Sequence, residues 1–387
     1  MKIIRIDVHR VHVPMSTAPV DPTAAVKDGY VATEDLHKHI IELHTDDGFA
    51  GLGETWKGTP DRAVRAAAEF LLGKDPTRLS LQYLELPHDS TAVNARDLGA
   101  MVAVRPVDHN PSIHAFEVAL ADLVGQAHGV PIHQLLGGAV RDRVLVHYWS
   151  GRLPPEALAH VAHEGQQLGF GGIKIKCVLE DPNVERVQAI YEACGPDFRI
   201  SLDPNQRFRS IEDTLALAEA LVDYPIEVFE DPLPKDDLRA YAELRRHLSI
   251  PLALHMERPD DVLQAIRLGA ADVFNLRGTM STVHRLGYMA EVADMAIWRG
   301  SGLDLGILDA SYVHVCAATP SCTLGSDIIG QFMREDDLIV EPLTYESGHV
   351  LVPQGPGLGV VLDRDALSRY AVERGDSGMP GTWSVSG

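Results

Sequence analysis

Cysteine is scarce in this sequence, and the four cysteines form no motif that holds a metal. Cys177, Cys194, Cys316 and Cys322 are spread along the chain without a C-x-x-C pair. Structural zinc sites and disulfide frameworks use closely spaced or regularly repeated cysteines, so neither is expected. A chain with this cysteine usage is typical of a reducing compartment, and we predict a cytoplasmic location.

Positive charge is also in short supply. The 387 residues include 34 lysines and arginines against 55 aspartates and glutamates, which gives a formal net charge of −21. Nucleic acids and anionic membrane surfaces attract basic proteins, so neither is an expected partner. A small anionic substrate remains compatible with this charge, because a few local cations can override the net field.

Long apolar segments are absent as well. No apolar run is long enough to span a bilayer. The N-terminal stretch MKIIRIDVHRVHVP alternates apolar and polar residues, which is typical of a strand rather than of a signal peptide.

A chain of this length predicts one large domain and one smaller domain. The first hundred or so residues indicate strands followed by helices, and KHIIELHTDDGFAGLGE indicates a hairpin that turns at Asp46-Asp47-Gly48. Near the other end, the Gly- and Pro-rich stretch ESGHVLVPQGPGLGVVLD is predicted to fold back onto this N-terminal module. The tail after about residue 375 has the composition of a frayed end.

Between about residues 143 and 327, apolar strands alternate with amphipathic helices. This alternation indicates a parallel sheet that is covered on both faces. No G-x-G-x-x-G motif follows the first strand, and eight units at this pitch favour a closed (β/α) barrel over an open sheet. The predicted strands are 143–149, 172–177, 199–203, 226–230, 251–256, 272–277, 294–299 and 321–326.

Polar and charged residues recur at the carboxyl ends of these strands, where barrel enzymes carry their chemistry. Asp203 lies 27 residues before Glu230, and Glu230 lies 25 residues before His255. Each interval is about one βα unit, so we expect these side chains to meet at one rim. The full set is Lys174, Lys176, Asp203, Asn205, Glu230, Asp231, His255, Glu257, Arg277 and Asp304.

This set predicts removal of a proton from the carbon next to a carboxylate. Oxygen ligands from separate strands suit a hard divalent cation such as Mg²⁺, and Lys174 and Lys176, two apart on a strand, share a face. The cation would hold a substrate carboxylate and stabilise the enediolate that forms. A neighbouring positive charge would lower the pKa of a lysine enough for it to act as the base.

Each feature also has a simpler interpretation. A lone K-x-K is often an exposed strand edge, Asp-Pro-Asn is a common turn, His255 suits a core position, and Arg277 suits a structural ion pair. A hydrolase that uses paired carboxylates would have no role for either lysine. A degenerate barrel without catalytic activity would have only a structural or binding role. Recurrence at the βα period favours the catalytic interpretation.

The residues resemble the enolase superfamily, in its mandelate racemase and muconate lactonizing branches. The resemblance covers nearly the whole chain and rests on DDGFAGLGE, GFGGIKIK, SLDPNQ, VFEDPLPKDDL, PLALHMERPDD and VPQGPGLGVVLD. It implies an α/β fold: a modified TIM barrel, (β/α)7β, with an α+β capping domain. We predict the cap at 1–130, the barrel at 131–340 and a returning C-terminal segment at 341–387. It also implies a small carboxylate substrate and a homo-oligomer, from a dimer to an octamer.

The resemblance implies a role for each matching residue. Asp203 and Glu230 match the first two metal ligands of the family. Lys176 matches the base that takes the proton, and Lys174 matches the lysine that assists it and contacts the substrate carboxylate. Asn205 matches the asparagine that supports the metal and carboxylate cluster.

The sequence departs from the family pattern at the third metal ligand. The position that normally holds Asp, Glu or Asn is His255, and Glu257 is the alternative. An imidazole is a softer ligand than a carboxylate and suits Mn²⁺ or Zn²⁺ better than Mg²⁺. We therefore expect Mg²⁺, with Mn²⁺ or another divalent ion as the alternative.

A second departure concerns the base on the opposite face of the substrate. Arg277 stands where the lactonizing branch has a lysine, and no histidine follows the seventh strand in AIWRGSGLDLG. An arginine can hardly be deprotonated, so Arg277 would anchor an anion or stabilise the intermediate. A single base favours a dehydratase of a hydroxy acid or acid sugar; a racemase, epimerase or cycloisomerase is the alternative.

Substrate specificity in this family belongs to the capping loops, here about 15–35 and 52–60. Tyr30 and Trp56 are the candidates in these loops. With Asn205 and Asp304 they complete the predicted substrate-binding set.

Overall fold

The computed structural model describes residues 1–16, 37–87, 109–374 and 378–387. Tyr30 and most of the loop predicted at 15–35 lie outside these ranges. No helix within them is long and apolar enough to cross a membrane.

The N-terminal strands form an antiparallel sheet that is completed by the end of the chain. The strands are β1 (Ile3–Val11), β2 (Lys38–Thr45), β3 (Ala50–Glu54) and β14 (Thr382–Ser386), in the order β14-β1-β2-β3. The sheet packs against α1 (Asp61–Leu71) and α2 (Ile113–His128).

Two glycines of the predicted hairpin explain how closely α2 approaches β3. A Cβ atom on Gly51 would lie 2.1 Å from the carbonyl oxygen of Ala119, and one on Gly53 would lie 2.2 Å from that of Ala115. Any side chain at either position would therefore push the helix off the sheet. The glycines of the Gly51-Leu52-Gly53 sequence therefore allow α2 to pack directly on the strand.

The prediction of a frayed tail was wrong for residues 382–386. This segment pairs antiparallel with β1, with Val8 opposite Trp383 and Ile6 opposite Val385. Trp383 is buried in the N-terminal core. Apolar residues alternate within the short strand, a signal that the surrounding Gly, Ser and Pro residues mask.

The barrel sheet contains seven parallel strands, in the order β11-β10-β9-β8-β7-β6-β5. Helices connect successive strands and cover the outer face, as the alternation of apolar segments predicts. The strands are β5 (Tyr148–Ser150), β6 (Gly172–Lys176), β7 (Arg199–Asp203), β8 (Ile226–Glu230), β9 (Leu252–Met256), β10 (Val273–Leu276) and β11 (Ile297–Arg299). The remaining helices are α3 (Ile132–Leu135), α4 (Pro155–Gln167), α5 (Asn183–Cys194), α6 (Ile211–Ala220), α7 (Leu238–His247), α8 (Pro259–Leu268), α9 (Met280–Val292), α10 (Gly306–Ala318), α11 (Gly330–Met333) and α12 (Arg364–Tyr370).

The eighth predicted strand, 321–326, is reduced to two isolated parallel bridges. Cys322 pairs with Ile297, and Ser326 pairs with Val146, just before β5. The amides of Thr323 and Leu324 both donate to the carbonyl of Ile297, which is the irregularity of a bulge. The segment closes the ring between β11 and β5 without a regular ladder.

The segment after residue 340 contacts both parts of the molecule. β12 (Tyr345–Glu346) and β13 (His349–Leu351) form a small sheet with β4 (Arg143–Leu145), which leads into the barrel. Farther along, the amide of Leu358 donates to Asp122 of α2. The proposed domain boundaries at 130 and 340 remain a prediction.

Glu42 ties the last helix to the N-terminal sheet. Arg364 donates to both carboxylate oxygens, at 2.6 and 2.5 Å, and His9 Nε2 lies 3.1 Å from Oε1. Burial raises the pKa of Glu42, but the hydrogen bonds from His9 and Arg364 outweigh it and lower that pKa to about 2.

We expect Glu42→Gln to lower the free energy of unfolding by about 1–3 kcal/mol at neutral pH. Because the folded-state pKa lies below the ordinary value, this stability is present above about pH 4.5 and is lost as the pH falls towards 2. Urea unfolding at pH 7 and at pH 3.5 measures the difference in the free energy of unfolding between wild type and Glu42→Gln. Glu69→Gln, at an exposed position of α1, is the control. A difference between wild type and Glu42→Gln that does not change with pH would contradict the assignment.

Candidate active site

Strand β6 directs both lysines of the K-x-K motif into the barrel. Ile173 and Ile175 alternate with them and are fully buried in the core around the sheet. Residues two apart on a strand point the same way, so Lys174 and Lys176 share the inner face. The side chain of Lys174 is 6% exposed and that of Lys176 is 15% exposed.

The Lys174 ammonium lies among three carboxylates that come from different parts of the barrel. Its Nζ is 2.6 Å from Glu230 Oε2, 2.9 Å from Asp327 Oδ2 and 3.2 Å from Asp203 Oδ2. Lys176 also donates to Asp203. The structure thus brings together the two lysines and the first two predicted ligands.

Carboxylates outnumber ammonium groups in this cluster, and the pKa values respond. Burial raises the pKa of Asp203, but the charges of Lys176 and Lys174 outweigh it and hold that pKa at about 2. Burial and the neighbouring Asp203 raise the pKa of Glu230 to about 7. Burial opposes the charged form of Lys174, but Asp327, Glu230 and Asp203 raise its pKa well above the ordinary value. An additional cation would therefore be stabilised here.

His255 and Glu257, the two candidates for a third ligand, point to different places. His255 ends near Glu230, with Nδ1 3.6 Å from Glu230 Oε1, and its Nε2 is buried without a hydrogen-bond partner. Burial and surrounding positive charges keep the pKa of His255 well below the ordinary value, so the ring is neutral. Glu257 lies beyond the end of β9, 3.9 Å from His109 Nε2.

These observations show that the site fits a divalent cation. Asp203 and Glu230 supply hard oxygen donors. The neutral imidazole of His255 lies next to Glu230 through Nδ1, and its Nε2 is buried without a hydrogen-bond partner. A histidine must be neutral to bind a metal ion, and a buried ring nitrogen rarely lacks a hydrogen-bond partner. Both statements favour His255 as a ligand.

The backbone next to the site is fixed by a second set of residues. Asp231 has a positive φ of 46°, accepts the amide of His255 at 3.0 Å and forms a fully buried ion pair with Lys235. Lys235 also donates to the carbonyl of His255 at 2.8 Å. These contacts hold the end of β9 in place.

Asn275 and Asp327 were missed in the sequence analysis. Asn275 of β10 donates to Glu230 Oε1 at 2.7 Å, and its position two residues before Arg277, at the end of the same strand, was a signal. Asp327 directly follows the predicted eighth strand, 321–326, and this strand end was a signal. Asn205 has a φ of 48°, and its amide donates to Asp203 Oδ1 at 3.0 Å.

The remaining predicted site residues meet where the cap contacts the barrel. Arg277 lies over the ring of Trp56, with Cζ 3.7 Å from the ring centroid. Trp56 Nε1 donates to the hydroxyl of Tyr312 at 3.1 Å. Asp304 is fully buried and accepts from Tyr312 at 2.9 Å and from Lys38 at 2.6 Å. Substrate contacts by Trp56, Asn205 and Asp304 remain predictions.

Two other clusters bring three potential metal ligands within 4.8 Å of one another in the described part of the chain. They are His37, His39 and Asp61, and Asp7, Glu42 and His44. In the first cluster Arg10 already supplies the cation, since it lies 2.6 Å from His37 Nδ1 and donates to Asp61 at 3.0 Å. In the second cluster the guanidinium of Arg364 supplies the cation, because it forms an ion pair with Glu42.

Comparison with known proteins agrees with this geometry. The profile of the family described as "Enolase C-terminal domain-like" matches residues 157–366. The profile of the "Mandelate racemase / muconate lactonizing enzyme, N-terminal domain" matches residues 5–137.

Relatives with different reactions are similar to this chain. It is 32% identical to the N-succinylamino acid racemase of Thermus thermophilus, over 84% of this chain and 88% of the relative. It is 29% identical to a probable glucarate dehydratase of Streptomyces coelicolor, over 93% of this chain and 89% of the relative.

A crystal structure of an enolase from Gibberella zeae, complexed with magnesium, formate and sulfate, superimposes with a TM-score of 0.78 at 25% identity. It covers 95% of this chain and 90% of that one. This chain therefore has the fold of this group, a modified TIM barrel with a cap. The chain belongs to the enolase superfamily, among the proteins that resemble mandelate racemase and muconate lactonizing enzyme.

Proposed function

We propose that this enzyme removes the α-proton of a small carboxylate with Lys176, at a site where Asp203, Glu230 and His255 hold a divalent cation. One observation carries the proposal: both lysines of β6 contact the carboxylate of Asp203 inside the barrel. The base and the anionic ligands therefore share one pocket, as proton abstraction next to a bound carboxylate requires.

The two lysines have different surroundings, which supports different roles. Lys174 is the more buried and contacts three carboxylates, so it remains an ammonium that attracts the substrate carboxylate. Lys176 is more exposed and thus better placed to take a proton from a substrate entering at the mouth. A bound divalent cation would supply the positive charge that stabilises the enediolate.

The fate of the intermediate depends on whether a second acid or base lies across from Lys176. Arg277 stands at the end of β10, and an arginine can hardly give up its proton. One base favours elimination of water from a hydroxy acid or acid sugar, and similarity to a probable glucarate dehydratase accords with this. Racemisation or epimerisation is the second candidate, favoured by the similarity to an N-succinylamino acid racemase.

We expect Lys176→Ala to lower α-proton exchange at least about 100-fold, the usual contribution of a positioned base, while Mn²⁺ affinity changes by less than about threefold. Hydroxy and amino carboxylates in D₂O with Mg²⁺ or Mn²⁺, followed by NMR, provide the measurement. A 2-keto product identifies dehydration, and deuterium incorporation with inversion identifies epimerisation. Lys74→Ala on the cap surface is the control. Full exchange by Lys176→Ala would exclude this base.

Metal binding distinguishes the proposed ligands from their neighbours. Asp203→Asn and Glu230→Gln should each weaken Mn²⁺ binding, measured by electron paramagnetic resonance, by about 100-fold, and His255→Gln by about tenfold. Glu257→Gln and His37→Gln should leave the affinity within about twofold. A loss confined to His37→Gln would move the ion to the cap and refute the assignment.

A further inference from the structure

Asn275 carries a fully buried amide in an otherwise apolar part of β10. Its neighbours Phe274 and Leu276 belong to the core around the sheet, and Asn275 itself has no exposed surface. Burial of an amide costs free energy unless hydrogen bonds compensate for the loss of water. An amide at this position therefore requires a specific partner.

The partner is Glu230, which lies two strands away. Asn275 Nδ2 donates to Glu230 Oε1 at 2.7 Å, although β9 lies between β10 and β8 in the sheet. His255 of β9 is directly opposite Asn275 in the ladder. The amide therefore reaches across the inner face of β9 and contacts the carboxylate on the side of His255.

The two oxygens of the Glu230 carboxylate have different neighbours. Oε2 lies 2.6 Å from Lys174 Nζ. Oε1 accepts from Asn275 and lies 3.6 Å from His255 Nδ1. Lys174 and Asn275 together fix both ends of the carboxylate, whereas Lys174 alone would leave the group free to rotate about its contact.

An amide suits this task because it is a neutral donor. An ionised carboxylate offers about four lone-pair sites, so Glu230 can accept from Asn275 and Lys174 and still bind a cation. A lysine or arginine in place of Asn275 would add a positive charge that repels the cation. Outer partners of this kind orient metal ligands and contribute to metal affinity.

The orientation of the amide leaves its oxygen without a hydrogen bond. Asn275 Oδ1 is buried and has no partner among the residues that the structure describes, which is rare for a buried polar atom. The reverse orientation of the amide would place Oδ1 against Glu230 Oε1, and neither of these oxygens has a proton to donate. The contact with Glu230 therefore determines how the amide is oriented.

Gly300, which directly follows β11, makes room for this amide. A Cβ atom on Gly300 would lie 2.4 Å from Asn275 Oδ1 and 2.9 Å from Nδ2. The φ angle of Gly300 is not positive, so the space that the amide occupies, rather than the backbone conformation, requires a glycine. The end of a second strand is thus shaped to fit the same side chain.

We propose that Asn275 is a positioning residue of the metal site. Its amide holds Glu230 in the orientation in which the carboxylate binds a divalent cation, and Gly300 provides the space for it. This inference rests on the proposed function for the role of Glu230 as a ligand. A purely structural amide that joins β10 to β8 would instead affect stability without acting through Glu230.

Mn²⁺ affinity, measured by electron paramagnetic resonance on the full chain, tests this role. Asn275→Leu, which keeps the approximate size and removes the donor, should weaken Mn²⁺ binding at least about tenfold. In a Glu230→Ala background the same substitution should change the affinity by less than about twofold, because the carboxylate that it orients is absent. Asn110→Leu, which removes a buried amide from the cap, is the control.

Gly300→Ala provides a second test that leaves Asn275 itself in place. The added methyl group should displace the amide and weaken Mn²⁺ binding at least about fivefold. Gly171→Ala is the matched control, because a Cβ atom there would meet no atom within 4 Å. Urea unfolding of the metal-free proteins shows whether each variant folds, and Gly300→Ala decides the question if Asn275→Leu does not.

Two outcomes would overturn the role of Asn275 alone. One is an unchanged Mn²⁺ affinity in the folded variant while Glu230→Ala weakens binding. The other is an equal loss in the wild-type and Glu230→Ala backgrounds, which indicates a structural effect. If Glu230→Ala itself binds Mn²⁺ as tightly as wild type, the ligand assignment of the proposed function fails, and this inference fails with it.

Discussion

The contact of one buried ammonium with three carboxylates is the constraint on which the rest of the site depends. Lys174 joins Asp203, Glu230 and Asp327, which come from β7, β8 and the segment that closes the ring. Buried charges are tolerated only when they are paired, and removal of one partner costs several kcal/mol. The same contacts therefore hold the carboxyl ends of these strands and the closing segment together.

Two cations lie where the cap contacts the barrel. Lys38 from the cap contacts Glu54 and Asp304 and so fastens the N-terminal sheet to the barrel. Arg277 stacks on Trp56 beside this group. Burial lowers the pKa of Arg277, and the charge of Glu257 opposes that effect.

Local patterns predicted the barrel strands and the meeting of Asp203 with Glu230 at one rim, because each depends on a short, regular spacing in the sequence. The K-x-K repeat and the 27-residue interval from Asp203 to Glu230 both follow from strand and βα periodicity. Asp327 directly follows the predicted eighth strand, 321–326, so the same argument could have identified it. The position of His255 near Glu230, the position of Glu257 near His109, and the pairing of Trp383 with β1 depend on contacts between distant segments that no local pattern encodes.

The location of a bound ion tests the central claim most directly. Anomalous scattering from crystals grown with Mn²⁺ should show a peak within about 2.5 Å of Asp203, Glu230 and His255 Nε2, beside the ammonium of Lys176. A peak among His37, His39 and Asp61, or none near Asp203, would contradict it.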